Sequence, residues 1–267
     1  MIGVFDSGVG GLSVLKHFLE DHPQYNYIYL GDSANVPYGN KSPEIIYNYT
    51  IKAIDFLESQ GCKLIIVACN SASAQALRKI QQEYLPNKFP DLKVLGVIRP
   101  MVEKIVSLEK IKKVGIIGTR ATINSNIYLE EISALKPDID VIQKSAPLLV
   151  PLIEENWSKK PEAKMILKKY LRPLKVKQVE ALVLACTHYP FLIKDIKRIM
   201  GKKCLILNPG EIISGSLKKY LEKHPELKLK PKEKDCQFYT SDDVARFVDL
   251  AGLFLKKKII NVKKIIL

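Results

Sequence analysis

The clearest structural pattern in the chain is Leu64-Ile-Ile-Val-Ala68-Cys69-Asn70-Ser71, in which five apolar residues stop at a cysteine and two polar residues. A run that is apolar at every position predicts a strand buried on both faces, as in a parallel sheet covered by helices. The pattern returns as Ala181-Leu-Val-Leu-Ala185-Cys186-Thr187-His188. Two buried strands that end in the same reactive residue type predict two similar α/β units in one chain.

Strands and helices alternate along the rest of the sequence. Apolar runs predict further strands near residues 2–5, 27–30, 94–98, 114–117, 141–142, 205–207 and 236–239. Amphipathic stretches predict helices near residues 12–20, 43–60, 72–84 and 161–170. We therefore expect two doubly wound parallel-sheet domains with the active-site cleft between them. The first is expected to comprise residues 1–96 plus 207–267 and the second residues 97–206.

Length and composition are those of an ordinary globular protein. The chain has 267 residues, of which 47% are hydrophobic and 26% charged. No apolar run approaches the roughly 18 residues that span a bilayer, and the first residues do not resemble a signal peptide. We expect a cytoplasmic protein without a membrane partner. Five irregularly spaced cysteines without a C-x-x-C pair indicate neither a disulfide framework nor a metal site.

The net charge of +14 raises the possibility of an anionic partner. The excess is mostly lysine in short clusters, which is typical of solvated helix faces. The sequence shows no helix-turn-helix, zinc-finger or RNA-binding aromatic signature, and this argues against nucleic acid. A basic nucleic-acid-associated binding protein is kept as an alternative of a different class.

The placement of Cys69 and Cys186 indicates acid–base chemistry. In open parallel sheets, ligands bind outside the carboxyl ends of the strands, where both residues are expected. Each cysteine also precedes a predicted helix start, which favours a thiolate. Two thiols on opposite faces of a carbon atom can remove a proton from one face and add one to the other. A buried cysteine alone is typical of a packed core, and we assign Cys62, Cys204 and Cys236 to structure because no polar pair follows them.

Several motifs resemble the glutamate racemase family, and the match runs from about residue 2 to residue 254. They are Gly3-Val-Phe-Asp6-Ser7-Gly8-Val-Gly10-Gly11, Gly31-Asp32-Ser-Ala-Asn-Val-Pro37-Tyr38-Gly39, Ala68-Cys69-Asn70-Ser71-Ala72, Gly118-Thr119-Arg-Ala-Thr122, Pro147-Leu-Leu-Val-Pro151-Leu-Ile-Glu154-Glu155, Ala185-Cys186-Thr187-His188-Tyr189-Pro190 and Phe238-Tyr239-Thr240-Ser241-Asp242. The resemblance implies interconversion of L- and D-glutamate without a cofactor, a homodimer, and a product used in peptidoglycan synthesis.

The resemblance also implies roles for individual residues. Cys69 and Cys186 would exchange protons with the substrate, Asp6 would assist Cys69, and His188 with Glu154 behind it would assist Cys186. The substrate would be held by Asp6, Ser7, Tyr38, Gly39, Asn70, Ser71, Thr187 and His188. Other interpretations remain open. Asp6 also suits a helix cap, Tyr38 a turn residue and His188 a structural histidine, and Glu155 competes with Glu154.

Two positions depart from the family pattern. Ser71 stands where threonine is usual, and its hydroxyl is retained. Arg99 stands where glutamate is usual, which changes the charge of the expected domain interface. An aspartate racemase is the nearest alternative, although such enzymes usually carry Glu at the position of His188. A pyridoxal-phosphate racemase would need a Schiff-base lysine in a phosphate-binding context, and we find none.

Overall fold

The computed structural model describes residues 1–229, 231–233, 236–256, 259 and 261–267. The strands are β1 Ile2–Asp6, β2 Tyr27–Gly31, β3 Leu64–Val67, β4 Lys93–Gly96, β5 Lys113–Gly118, β6 Asp140–Ser145, β7 Ala181–Ala185, β8 Leu205–Leu207, β9 Gln237–Thr240 and β10 Val262–Lys264. The helices are α1 Leu12–Asp21, α2 Pro43–Ser59, α3 Asn70–Gln75, α4 Leu77–Lys79, α5 Leu85–Lys88, α6 Ile98–Val106, α7 Arg120–Asn124, α8 Ile127–Leu135, α9 Leu149–Glu154, α10 Pro161–Val176, α11 Ile193–Met200, α12 Pro209–Lys223 and α13 Val244–Leu255.

The first sheet contains, among the described residues, six parallel strands in the order β10-β9-β2-β1-β3-β4. Strands β1, β2 and β3 are buried at every position, as their continuous apolar runs predict. The register pairs Phe5 of β1 with both Leu30 and Val67. Asp6 and Cys69 therefore emerge at the same carboxyl edge of this sheet.

The second sheet has the order β6-β5-β7-β8 within the described part of the chain, and all of its pairs are parallel. Gly118 at the end of β5 pairs with Ala185 at the end of β7, so Thr119 and Cys186 leave this sheet side by side. Two parallel sheets with interspersed helices confirm the predicted α/β fold of two units. The residue limits proposed for the two domains stay a prediction.

Several element boundaries differ from the expectation. The helix expected from residue 72 begins at Asn70, directly after Cys69. The strand expected at 94–98 ends at Gly96, and Ile98 already begins α6. Helix α10 continues to Val176 because its buried stripe of Ala163, Leu167, Leu171 and Leu174 extends the helical spacing beyond residue 170.

The helical stretch formed by α3 and α4 runs along residues 119–131 of the second unit. Gln75 donates from Nε2 to the main-chain oxygen of Ala121 at 2.7 Å. Further along, Glu131 accepts from Arg78 at 2.8 Å and from Arg99 at 2.9 Å. Arg99, which departs from the family pattern, thus takes part in an ion-pair cluster between the two units. No helix in the described residues is long and apolar enough to cross a membrane.

Candidate active site

The carboxyl ends of the two sheets open onto one small cleft, and its central cavity measures about 30 Å³. From the first unit it is lined by Ser7, Val36, Pro37, Tyr38, Gly39, Asn40, Cys69, Asn70 and Ser71. From the second unit it is lined by Thr119, Pro147, Val150, Glu154, Cys186, Thr187 and His188. Every site residue that the sequence predicted therefore lies in this lining except Asp6.

Cys69 is placed between the end of β3 and the first turn of α3. Its thiol donates to Ser7 Oγ at 3.6 Å. Burial, together with the negative charge of Asp6, raises the pKa of this thiol to about 12, although the main-chain N–H of Ala72 opposes the shift. Cys69 is therefore a thiol that holds its proton at neutral pH.

Cys186 follows β7 and lies beside a histidine–carboxylate pair. Its Sγ is 4.0 Å from Nδ1 of His188, whose Nε2 lies 2.9 Å from Oε1 of Glu154. Burial opposes the protonated form of His188, but hydrogen bonds and charges from Cys186 and Glu154 outweigh it and raise the His188 pKa to about 10. His188 is therefore an imidazolium at neutral pH, placed to stabilise negative charge on the neighbouring sulfur.

Asp6 is fully buried next to the cleft and joins the two units. One carboxylate oxygen accepts from the main-chain N–H of Gly8 at 3.0 Å, and the other accepts from Thr187 Oγ1 at 3.2 Å. Burial raises the Asp6 pKa, while the charge of His188 and these hydrogen bonds lower it. The Asp6 side chain thus bonds to the main chain of Gly8 and Gly11 and to Thr187, and it acts on Cys69 through its charge.

The structure shows which of the two adjacent glutamates, Glu154 or Glu155, contacts His188. Glu154 ends α9 and contacts His188. Glu155 instead forms an exposed ion pair with Arg246 at 2.9 Å. Glu154 is therefore the carboxylate that can support His188.

The helix start that the sequence predicts after Cys186 differs in form from the one after Cys69. A tight 3-10 turn over Tyr189–Leu192 comes first, and α11 starts only afterwards. Pro190 lacks a main-chain N–H, and the turn closes through short-range bonds such as Tyr189 N–H to the Cys186 oxygen at 3.1 Å. The imidazolium of His188 supplies positive charge near the Cys186 sulfur.

Tyr38 lines the cleft, but its hydroxyl is bonded to another side chain of the protein. It donates to Asp32 Oδ2 at 2.6 Å, and Asp32 Oδ1 accepts from Ser241 Oγ at 2.6 Å. The Tyr38 hydroxyl is therefore already bonded, and the Tyr38 main-chain oxygen accepts from the Lys41 N–H at 3.0 Å. Asp32, which follows β2 at its carboxyl end, holds the loop and was not singled out from the sequence.

Thr119 is a lining residue that sequence reasoning missed. It follows β5 directly, and its Oγ1 lies 2.8 Å from Ser71 Oγ of the first unit. Thr119 could have been found by the feature that identified the two cysteines, which is a polar residue at the carboxyl end of a buried strand.

Cavity size alone would not identify this cleft as the candidate active site. A larger cavity of about 510 Å³ is lined by residues including Leu77, Arg99 and Tyr220, and it contains neither Cys69 nor Cys186. Within the described ranges, no group of three or more His, Cys, Asp or Glu side chains is arranged to hold a metal ion. The paired thiols with their charged neighbours are the feature that distinguishes the small cleft.

Comparisons with known proteins identify the family. Residues 7–212 match the family described as Asp/Glu/Hydantoin racemase. The glutamate racemase of Geobacter metallireducens is 36% identical over 264 residues, which cover 99% of this chain and 96% of that protein.

Two crystal structures extend the comparison. A glutamate racemase isoform from Bacillus anthracis superposes with a TM-score of 0.91 at 30% identity, covering 99% of this chain and 97% of that one. The glutamate racemase from Francisella tularensis in complex with D-glutamate gives a TM-score of 0.88 at 33% identity, covering 99% and 96%. On its sequence, fold and coverage, the chain belongs to the Asp/Glu/hydantoin racemase family.

Proposed function

We propose that this protein is an isomerase that interconverts L-glutamate and D-glutamate and supplies D-glutamate for peptidoglycan. The observation that carries the proposal is that Cys69 and Cys186, from two different sheets, line one small cleft. The named relatives support glutamate as the substrate, since they match this chain over nearly its whole length.

The reaction is a proton exchange at the α-carbon. The thiolate of one cysteine removes the α-proton from one face, and the electron pair stays on the α-carbon as a carbanion. The thiol of the other cysteine then donates its proton to the opposite face and becomes the thiolate. The two roles are exchanged in the reverse direction, so no cofactor or external proton source is needed.

The neighbouring groups prepare the two thiols for unequal starting roles. The imidazolium of His188, held by Glu154, stabilises a thiolate on Cys186. The charge of Asp6 helps to keep Cys69 protonated until a carbanion is present to accept the proton. We propose that Asp6, Glu154 and His188 assist the two cysteines in proton transfer.

Polar groups around the thiols suit a substrate with two carboxylates and one ammonium group. Ser7, Ser71 and Thr187 offer hydroxyls, and the start of α3 offers free main-chain N–H groups. Asn70 and the backbone of the Tyr38–Gly39 loop add further donors. Together they would orient the α-carbon between the two sulfur atoms.

The test is proton exchange by the purified protein in deuterated water with no cofactor added. We expect both L- and D-glutamate to become racemic and to acquire deuterium at the α-carbon, measured by chiral chromatography and proton NMR. L- and D-aspartate, assayed in parallel, are expected to react far more slowly. Failure to convert glutamate would refute the proposal, and faster conversion of aspartate would favour an aspartate racemase.

We also propose that the protein is cytoplasmic and works as a homodimer, as the family resemblance implies. Large apolar side chains exposed on the second unit, including Leu148, Trp157 and Met165, are available for a subunit contact. Sedimentation equilibrium at micromolar concentration should give twice the chain mass of 30.2 kDa. A monomer mass over the whole concentration range would contradict the dimer.

A further inference from the structure

Tyr128 lies outside the cleft lining but contacts a residue inside it. It belongs to α8 of the second unit, and its side chain is fully buried. Its hydroxyl donates to Oδ1 of Asn70 at 2.9 Å. Asn70 is the first residue of α3 in the first unit and lines the cleft. One buried hydroxyl of the second unit therefore acts on the lining supplied by the first.

The contact matters because the asparagine amide has two chemically different ends. Oδ1 accepts hydrogen bonds, whereas Nδ2 donates two. With Oδ1 bound to Tyr128, Nδ2 must point elsewhere, and no protein group in the described residues accepts a hydrogen bond from it. A flipped amide would present an acceptor oxygen to the cleft, which an anionic carboxylate would repel.

Burial keeps Tyr128 in the protonated form that this arrangement needs. The low-polarity surroundings raise the pKa of the phenol above its ordinary value, so it stays a neutral hydroxyl. The nearby side chains include Ile98, Met101 and Val102 in the same apolar cluster. These neighbours offer no hydrogen-bonding group that could compete with Asn70 for the hydroxyl.

We propose that Tyr128 is a positioning residue, whose hydroxyl holds the Asn70 amide with its N–H groups toward a carboxylate of the substrate. This inference rests on the proposed function, which supplies the dicarboxylate. The Asn70 contact is the same for either enantiomer and persists through the proton transfer. Tyr128 should therefore affect substrate binding, expressed in KM, and leave kcat nearly unchanged.

The primary test is Tyr128→Phe, which removes only the hydroxyl. We expect KM to rise about three- to tenfold for both L- and D-glutamate, the range for one lost hydrogen bond, while kcat stays within about twofold. The matched control is Tyr27→Phe, because the buried hydroxyl of Tyr27 donates to the main-chain oxygen of His22 at 3.0 Å, away from the cleft lining. Both variants should melt at lower temperature, but only Tyr128→Phe should raise KM.

A double-mutant cycle separates positioning from general packing. If Tyr128 acts through Asn70, adding Tyr128→Phe to Asn70→Ala should cause no further rise in KM. Fully additive effects would overturn the inference. So would an unchanged KM in Tyr128→Phe when the wild type racemises glutamate. A wild type that fails to racemise would instead refute the proposed function, and the inference with it.

Asn70→Asp tests the same orientation without altering the buried tyrosine. It places a second, negatively charged oxygen where the amide nitrogen stands, while Tyr128 can still donate to the first oxygen. We expect a higher KM than in Asn70→Ala, because charge repulsion is added to the lost donor. A KM equal to or below that of Asn70→Ala would overturn the proposed direction of the amide.

Discussion

Nε2 of His188 lies 2.9 Å from Oε1 of Glu154, and both side chains are largely buried, with 5% and 15% exposed. The next residue, Glu155, pairs with Arg246, and both of these side chains are more than half exposed. Two adjacent carboxylates therefore differ in surroundings, and this difference gives a matched pair of variants.

Glu154→Gln should lower kcat by about ten- to a hundredfold, because it replaces the carboxylate partner of the charged His188 imidazole by a neutral amide. It should also move the alkaline limb of the pH–rate profile to lower pH. Glu154 helps to raise the His188 pKa, so without its charge the imidazolium loses its proton sooner. Rates measured from roughly pH 6 to about pH 10 test both effects. Glu155→Gln is the control, and equal effects of the two variants would contradict the assignment.

The protonated state of His188 should also contribute to stability in a defined pH range. Its folded pKa of about 10 lies above the ordinary value of 6.5, so the contribution is complete below pH 6.5 and is lost as the pH rises through about 10. We expect wild type to exceed His188→Gln in free energy of unfolding by a margin that narrows over this range. Urea titrations at several pH values measure the margin, and a margin that widens would contradict an imidazolium.

Cys69→Ser and Cys186→Ser should each reduce racemisation by at least about a thousandfold, since a serine hydroxyl is a much weaker acid than a thiol. Each variant is expected to retain slow α-proton exchange with one enantiomer only, and the enantiomer should differ between the two. NMR in deuterated water distinguishes them. Full racemase activity in either variant is incompatible with the two-base scheme. Cys204→Ser is the control, because Cys204 is absent from the cleft lining.

Gly10→Ala should strongly impair activity, because the site depends on close approach of the two units at this residue. A Cβ at Gly10 would lie 2.3 Å from Thr187 Oγ1 and 2.4 Å from His188 Nδ1. Relieving this overlap requires displacement of site residues and should cost about 1–3 kcal/mol of stability. Gly215→Ala is the control, since nothing lies within 4 Å of a Cβ there. Kinetics and thermal melts test both variants, and a fully active Gly10→Ala would contradict the packing.

Glu131→Gln should weaken the ion-pair cluster that joins the two units. Arg78 and Arg99 would lose their shared carboxylate, and we expect the melting temperature to fall by about 2–4 °C. The difference from wild type should shrink at high salt because the cluster is partly exposed. Glu83→Gln removes an isolated exposed pair with Lys79 and should leave the melting temperature unchanged. Equal shifts of the melting temperature in the two variants would show that the cluster contributes no more stability than an isolated exposed pair.

The sequence by itself determined the type of fold and the strand ends that carry the chemistry. Continuous apolar runs such as 64–68 and 181–185 can be stable only when both faces are covered, so a layered α/β arrangement follows from local composition. Cys69 and Cys186 were recognisable because each stands at the end of such a run. Those inferences needed no knowledge of which residues meet across the molecule.

Only the tertiary structure decided the pairings around the thiols. Tyr128 meets Asn70 across 58 positions, and His188 meets Glu154 across 34. The α-helix that starts directly after Cys69 and the 3-10 turn that follows Cys186 were likewise decided by local turn geometry and packing. Such contacts depend on how the two units pack at their facing edges. Hydrogen bonds act over about 3 Å. A small displacement of a side chain is therefore enough to exchange one hydrogen-bond partner for another, and sequence patterns do not predict displacements of that size.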